Sequence, residues 1–484
     1  MSKLEVRTQA GTLAGAMADE AVRVFRGVPY AKPPVGPLRW KPPQPLERWS
    51  GVRTALEYAP DCPQTLEVGS RAPAHSEDCL YLNVWTPLDA EPGSLPVLVW
   101  IYGGSFVSGS GSEARTDGAK LARRGTVVVA INYRVGLFGY LAHPALTRES
   151  PHRSSSNYGL LDQVAALQWI RENISGFGGD PTRVTAFGVS AGSASISLLL
   201  ASPHGRGLFD RAILHSPGAV RRLASLEDAE AAGRALGDDI GALRQLSGSQ
   251  ILARTPLLAP KVRGLTTPRV LRPIRDGWVM PEDERPVFKS GRLHAMPLIL
   301  GTCADEGTEF VTTWPVRTLA QYRELVDSSF GASAEAALRA YPAESDADVP
   351  LRLGELFADT QFNYGTRLLA QSMAGRQQPV WRYLFTRRRP HRKDGPHHGQ
   401  DVHYVFGNLS ARYPGEAPEH DAADREVSDY IMKAWVQFAA SGEAPWARYK
   451  AATDNHLELN DRFPSANGWR RAQLDFLDEY FGSL

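Results

Sequence analysis

A serine, a pair of carboxylates and a pair of imidazoles occur in this chain in an order that suits attack on a carbonyl carbon. Gly188-Val189-Ser190-Ala191-Gly192 sets a serine inside a G-x-S-x-G pentapeptide. Asp305-Glu306-Gly307 and then His397-His398-Gly399 follow it, and Tyr102-Gly103-Gly104-Ser105-Phe106 precedes it. A serine hydroxyl is a weak nucleophile until a base takes its proton, and the base needs a carboxylate to orient it. The tetrahedral anion formed on attack needs N–H donors aimed at its oxygen, and glycines let a backbone come that close. Taken alone the pentapeptide is a weak signal, because glycine and serine are common. A sharp turn from strand to helix makes it stronger: it pushes the Ser190 hydroxyl outward and sets helix N-terminal N–H groups behind it.

The acid belongs after the serine, beyond a later strand, and on spacing alone Asp305 and Glu306 are equally placed. Glu309 reads as a solvated helix residue. With twelve histidines in the chain, composition does not pick out the base.

The elements that must hold these groups alternate along the chain. Leu95–Ile101 and Thr126–Ile131 are apolar, β-branched runs and are predicted to be buried strands. Leu161–Ile174 has apolar residues at helical spacing, with Gly176, Gly178 and Gly179 as stop signals. Val184–Phe187 is predicted as a short strand entering the serine turn, with a helix leaving it through Ala194–Leu200. Ala212–His215, Pro297–Gly301 and Val380–Phe385 are further predicted strands. This alternation predicts an α/β fold: a mostly parallel sheet covered by helices on both faces, with reactive groups beyond the strands' carboxyl ends. Asp276–Arg292 and the basic run Arg387–Gly395 read as solvated loops. No internal repeat divides the chain, and residues 1–484 are expected to form one domain.

Composition excludes several classes. With 43% hydrophobic and 22% charged residues the chain is an ordinary globular one, and its formal net charge of +1 supplies no field for nucleic acid or an anionic membrane. No apolar run approaches the roughly 18–20 residues that cross a bilayer, and the first residues hold no signal-peptide core. The chain as written is therefore expected in the compartment where it is made; a secreted protein trimmed of its signal would read the same. Cys62, Cys79 and Cys303 have no metal-ligand spacing, so neither a metal nor another cofactor is expected. Cys62 and Cys79 read equally well as a short-loop disulfide and as two free thiols.

The stretch from Phe177-Gly178-Gly179-Asp180-Pro181 to Gly192 resembles the signature of the type-B carboxylesterase/cholinesterase family. Ala186 is smaller than the family's usual branched residue, and Val189 replaces its common Glu; neither change removes a reacting group. Phe25-Arg26-Gly27-Val28-Pro29-Tyr30-Ala31, Glu77-Asp78-Cys79-Leu80-Tyr81-Leu82-Asn83-Val84, Asn132-Tyr133-Arg134-Val135-Gly136 and Asn157-Tyr158-Gly159-Leu160-Leu161-Asp162-Gln163 are similar to further family blocks. The resemblance covers nearly the whole chain. It implies an α/β-hydrolase fold with insertions roofing a gorge, and ester hydrolysis through an acyl-enzyme. It selects Glu306 over Asp305 as acid and His398 as base, leaving His397 to point elsewhere and His403 on a following helical turn. It also implies oxyanion donors at Gly104, Ser105 and Ala191, where Ser105 replaces a commoner glycine. Ser216 matches a second serine that hydrogen-bonds near the base, and Arg134–Asp162 and Arg39–Glu77 match internal salt bridges.

Ser216-Pro217-Gly218 with Leu223–Leu226, and the segment from Tyr341 to Pro350, are similar to the bacterial fumonisin-type carboxylesterases within this family. That group removes tricarballylate side chains from a long aminopolyol. Arg221 and Arg222 lie where the family approaches the acyl side of the gorge. Guanidinium pairs bidentately with carboxylates, so the two arginines either read an acidic acyl group or face solvent. The alternatives within enzymes are a carboxylesterase for neutral short-chain esters, an amidase and a lactonase. Outside enzymes, a silent binding module of this family would have lost its serine.

Overall fold

The computed structural model describes residues 3–65, 69–258, 265, 269–388, 395–411 and 420–483. In chain order its strands are β1 (Glu5–Arg7), β2 (Thr12–Ala14), β3 (Ala16–Met17), β4 (Val22–Pro29), β5 (Val52–Thr54), β6 (Tyr81–Pro87) and β7 (Leu95–Ile101). They continue with β8 (Val127–Ile131), β9 (Gly179–Val189), β10 (Arg211–His215), β11 (Leu298–Cys303), β12 (Val380–Phe385), β13 (Asn455–Leu459) and β14 (Ser465–Asn467). Strands β1, β2 and β5 form a small sheet, and the other eleven form one large sheet in the order β14-β13-β12-β11-β10-β9-β7-β8-β6-β4-β3. From β8 to β13 every neighbour is parallel, whereas β14 at one edge and β6, β4 and β3 at the other pair antiparallel.

The period of two in the buried strands explains why helices cover both faces. In β7, Val97, Val99 and Ile101 join one apolar cluster, and Leu98 and Trp100 join another on the opposite face. Strand β8 divides the same way, with Val127, Val129 and Ile131 on one side and Val128 and Ala130 on the other. The first face is covered by the helices Tyr158–Asn173 and Ala191–Ala201, through Val164, Leu167, Ile170, Ile196 and Leu199. The second is covered by the helix Ala422–Ser441, whose Val427, Ile431, Trp435 and Phe438 recur at helical spacing. Each such buried side chain contributes about 1.5–3 kcal/mol.

Several predicted boundaries shift. The short strand predicted at Val184–Phe187 is the eleven-residue β9, extended backwards because Gly179 pairs with Leu95 before a register shift. The helix after Ser190 begins at Ala191, three residues earlier than predicted. Asp276–Arg292 is not all loop: Glu284–Lys289 is a short helix, with Glu284, Val287 and Phe288 buried. Of the basic run, residues 389–394 lie outside the described residues, and Arg387 is paired with Asp421 (2.6 Å) and Asp424 (2.8 Å).

Both family salt bridges are present. Arg134 grips Asp162 bidentately (Nε–Oδ2 2.8 Å, Nη2–Oδ1 2.7 Å), and both side chains are buried. Removing one partner of such a pair costs about 3–5 kcal/mol, because the other charge stays buried alone. Arg39 holds Glu77 in the same forked manner. Cys62, Cys79 and Cys303 are buried free thiols, so the structure has the second of the two cysteine readings. Among the described residues no helix is long and apolar enough to cross a membrane.

Candidate active site

Ser190 sits where β9 ends and the helix Ala191–Ala201 begins, with φ +54° and ψ −119°. A non-glycine residue in that region stores about 1–3 kcal/mol of strain and persists only where its surroundings enforce it. Here its N–H donates to the carbonyl of His215 on β10 (2.9 Å), and its carbonyl accepts from Ala194 N–H (2.8 Å). Gly192 is obligatory for the close approach to β7: a Cβ there would lie 2.0 Å from the Ile101 carbonyl oxygen.

The loop after β7 faces this turn. Tyr102 stacks on Tyr133 with ring centroids 4.2 Å apart, and each hydroxyl donates to the other's carbonyl at 2.8 Å. That mutual clasp fixes where the loop starts. Gly104 follows at φ +115°, where a Cβ would meet the Ser108 carbonyl oxygen at 2.2 Å, and Ser105 (φ +57°) and Phe106 (φ +66°) continue the left-handed path. None of the N–H groups of Gly104, Ser105 and Ala191 donates a hydrogen bond among the described residues. Ser105, Ser190 and Ala191 line one cavity of about 280 Å³.

The carboxylates and imidazoles sort into two side-by-side pairs. Asp305 and His397 form a parallel backbone bridge, and the Asp305 N–H donates to Pro396 (3.0 Å). His397 Nδ1 lies 3.4 Å from Asp305 and its Nε2 lies 3.8 Å from Glu309. Burial opposes ionisation of Asp305, but hydrogen bonds from His397 and Thr308 outweigh it and hold the carboxyl at about 2. One residue along, His398 Nδ1 is hydrogen-bonded to Glu306 Oε2. Glu306 is buried, and its other oxygen accepts from Ser216 Oγ (2.5 Å) and Cys303 N–H (2.6 Å). Ser216 thus contacts the Glu306 carboxylate rather than the His398 ring. The far nitrogen of His398, Nε2, is buried and makes no hydrogen bond among the described residues. No hydrogen bond joins it to Ser190 here; such contacts commonly tighten only with substrate in place. The ring packs on Phe362 (centroids 4.4 Å) and Phe310 (5.1 Å), both of which line the Ser190 cavity. His403 lies on the helix Asp401–Phe406, its Nδ1 3.4 Å from the Asn408 carbonyl.

The arginine pair divides. Arg221 lines the cavity and Arg222 is exposed. Arg221 donates twice to the Gln361 carbonyl (2.9 and 3.3 Å) and stands 5.3 Å from the Phe362 ring. Two further arginines line the same cavity, Arg269 and Arg272, and among the described residues no carboxylate does. Burial, together with repulsion from Arg269, pushes Arg272 down to about 9, so it remains charged at neutral pH. Arg221 is lowered by burial and by both neighbours. Sequence reading missed Arg269 and Arg272, which arrive from a segment with no motif. Phe310, Trp314, Phe357 and Phe362 form an aromatic wall.

It also missed two buried supports. Glu284 accepts from Val220 N–H (2.7 Å) and Ser197 Oγ, and burial raises its carboxyl to about 7. Beneath Ser190, Trp435 Nε1–H donates to His215 Nε2 (3.1 Å) and His215 Nδ1 meets Asp401 (2.9 Å), which also accepts from Tyr383 OH (2.7 Å). Because the Trp435 indole can only donate, His215 Nε2 accepts and the ring hydrogen lies on Nδ1, toward Asp401. Among the described residues no group of three or more His, Cys, Asp or Glu side chains is arranged to hold a metal ion.

The sequence profile of the Carboxylesterase family matches residues 2–477. A relative from Sphingopyxis macrogoltabida, Fumonisin B1 esterase, is 44% identical over 465 residues, 93% of this chain and 85% of its own length. Para-nitrobenzyl esterase of Bacillus subtilis (strain 168) is 36% identical over 487 residues, 96% of each chain. A solved structure of PNB esterase superposes with a TM-score of 0.87 at 33% identity, covering 98% of this chain and 99% of that one. The chain therefore belongs to the carboxylesterase family and is a serine carboxylic-ester hydrolase with the α/β-hydrolase fold.

Proposed function

We propose that Ser190 is the nucleophile, His398 the general base and Glu306 its orienting acid, and that the preferred acyl group carries free carboxylates. In the first half-reaction Ser190 Oγ attacks the ester carbonyl as His398 Nε2 takes its proton. Glu306, on Nδ1, holds the ring in the tautomer that leaves Nε2 open and stabilises the imidazolium. The N–H groups of Gly104, Ser105 and Ala191 receive the oxyanion. His398 then protonates the departing alkoxide. In the second half-reaction it deprotonates a water that attacks the acyl-enzyme, and the proton returns to Ser190.

The observation that carries the acidic substrate class is the presence of Arg221, Arg269 and Arg272 around the Ser190 cavity, with no carboxylate lining it among the described residues. Burial first, and mutual repulsion second, lower Arg221 and Arg272, and an anionic ligand offsets both. The relative named Fumonisin B1 esterase is consistent with this class. The aromatic wall favours a second reading, an esterase for neutral short-chain acyl groups. Residues 1–484 are read as one domain, since the large sheet draws its strands from Ala16 to Asn467.

Two esters decide between the readings: para-nitrophenyl acetate and the para-nitrophenyl monoester of tricarballylic acid. The tricarballylate ester is expected to have the higher kcat/KM, with the advantage shrinking at high salt. Arg221→Ala and Arg272→Ala should each lower its kcat/KM by about 10–100-fold, as charged hydrogen bonds are worth, and change the acetate ester by less than about threefold. Equal rates on the two esters, unchanged by either variant, would favour the neutral-ester reading.

A further inference from the structure

The helix over Val349–Ala358 and the helix Tyr364–Gly375 are joined by a π-helical turn, Asp359–Asn363, and all five of its residues are buried. A π turn inserts an extra residue into the helix and frees backbone groups from the regular ladder; such turns concentrate at functional sites. Here the Gln361 carbonyl is the acceptor for both Arg221 hydrogen bonds. The next residue, Phe362, packs on His398 and lies under the Arg221 guanidinium. One turn therefore touches both the cation of the acyl pocket and the imidazole.

The turn is also held by side chains that are not among the cavity's lining residues. Asp359, fully buried, accepts from Arg470 Nε (2.6 and 2.8 Å to its two oxygens), Tyr341 OH (2.9 Å) and Asn363 Nδ2 (2.7 Å). Arg470 Nη1 reaches Glu355 as well (3.1 Å), which ties it one turn earlier on the same helix. Arg470 itself is at φ +52°, at the start of the C-terminal helix Arg471–Gly482. It does not line the cavity.

We infer that Arg470 is a positioning residue for the active site: through Asp359 it holds the π-helical turn in the register that sets Arg221 for the acyl group and Phe362 against His398. The Arg221 arm rests on the substrate class proposed above, and the His398 arm does not. Misplacing a supporting group by about 1 Å can cost up to about 100-fold in rate. A purely structural role would instead change the amount of folded enzyme and leave each active molecule's KM and kcat intact.

The test uses Arg470→Gln and Arg470→Lys, with rates expressed per Ser190 titrated by a fluorophosphonate, and Tm recorded alongside. For Arg470→Gln the kcat on para-nitrophenyl acetate should fall about three- to tenfold with KM unchanged, and KM for the tricarballylate ester should rise about tenfold. Arg470→Lys keeps the charge but not the fork, and should lie between this variant and wild type. A folded Arg470→Gln enzyme with wild-type kcat and KM per active site on both esters overturns the inference. If Arg470→Gln does not fold, Glu355→Gln removes the outer contact of Arg470 together with the Glu355–Arg352 pair, which Arg352→Gln removes by itself as the control; a roughly two- to threefold shift of the same kind, absent from Arg352→Gln, is expected. Wild-type values from Glu355→Gln overturn the inference equally. Should wild type show no preference for the tricarballylate ester, the substrate reading fails alone and the acetate kcat still decides the role of Arg470.

Discussion

Ser190→Ala is expected to lower kcat by about 10⁶-fold while leaving Tm within about 1–2 °C of wild type. In the proposed mechanism Ser190 forms the acyl-enzyme, and without it only oxyanion stabilisation and binding remain to act. The preserved stability follows from the local structure. Alanine keeps the Cβ, so the strain at φ +54° is the same in both enzymes, and the Ser190 hydroxyl makes no hydrogen bond among the described residues whose partner would be stranded. The backbone bonds to His215 and from Ala194 are untouched. Retention of a tenth of the wild-type kcat would remove Ser190 from the mechanism.

Glu306→Gln should lower kcat by about 10⁴-fold, and Asp305→Asn by less than about tenfold. Glutamine matches glutamate in shape but cannot stabilise the imidazolium, and its NH₂ group favours the wrong tautomer of His398. His398→Ala should approach the Ser190 variant in severity, while His397→Ala and His403→Ala keep substantial activity. Asp305 contributes to stability instead. Its carboxyl is held at about 2, below the usual value of about 4, so its contribution is full at neutral pH and is lost as pH falls from about 4 to about 2. Asp305→Asn should therefore lower Tm at pH 7 with little change in kcat, and a reversed order of damage between the two acid variants would exchange their roles.

Adjacent residues such as Asp305 and Glu306 mark the limit of what the sequence makes legible. Their spacing from Ser190 differs by one residue, and only resemblance separated them. What separates them physically is the parallel bridge between Asp305 and His397, which hands each carboxylate its own imidazole. That is a pairing between segments 92 residues apart, beyond any local pattern. The glycine-framed elbow was legible because the close contact of Gly192 with β7 admits no side chain, so the residue type itself records the geometry. Strands β7, β8 and β12 were legible from their β-branched and aromatic runs, since both faces are buried.

The arginine pocket was only half legible. Arg221 lies close behind Ser216, but Arg269 and Arg272 come from a segment without periodicity, and nothing local distinguishes them from solvated cations. Arg222, adjacent to Arg221, is exposed, because the backbone direction and not the residue type decides which of the two enters the cavity. The π-helical turn was not legible: neither it nor the helices Val349–Ala358 and Tyr364–Gly375 that flank it were among the predicted elements. The short helix Glu284–Lys289 escaped because its Pro286 and its charged flanks read as loop, while tertiary burial of Val287 and Phe288 decides the outcome.

Mass spectrometry of peptides from enzyme quenched with acid during turnover of para-nitrophenyl acetate identifies the acylated residue. An acetyl adduct of about 42 Da is expected on the peptide containing Ser190 and is expected to be absent from Ser190→Ala. An adduct on a different residue, or steady turnover with the Ser190 peptide never modified, contradicts the role proposed for Ser190.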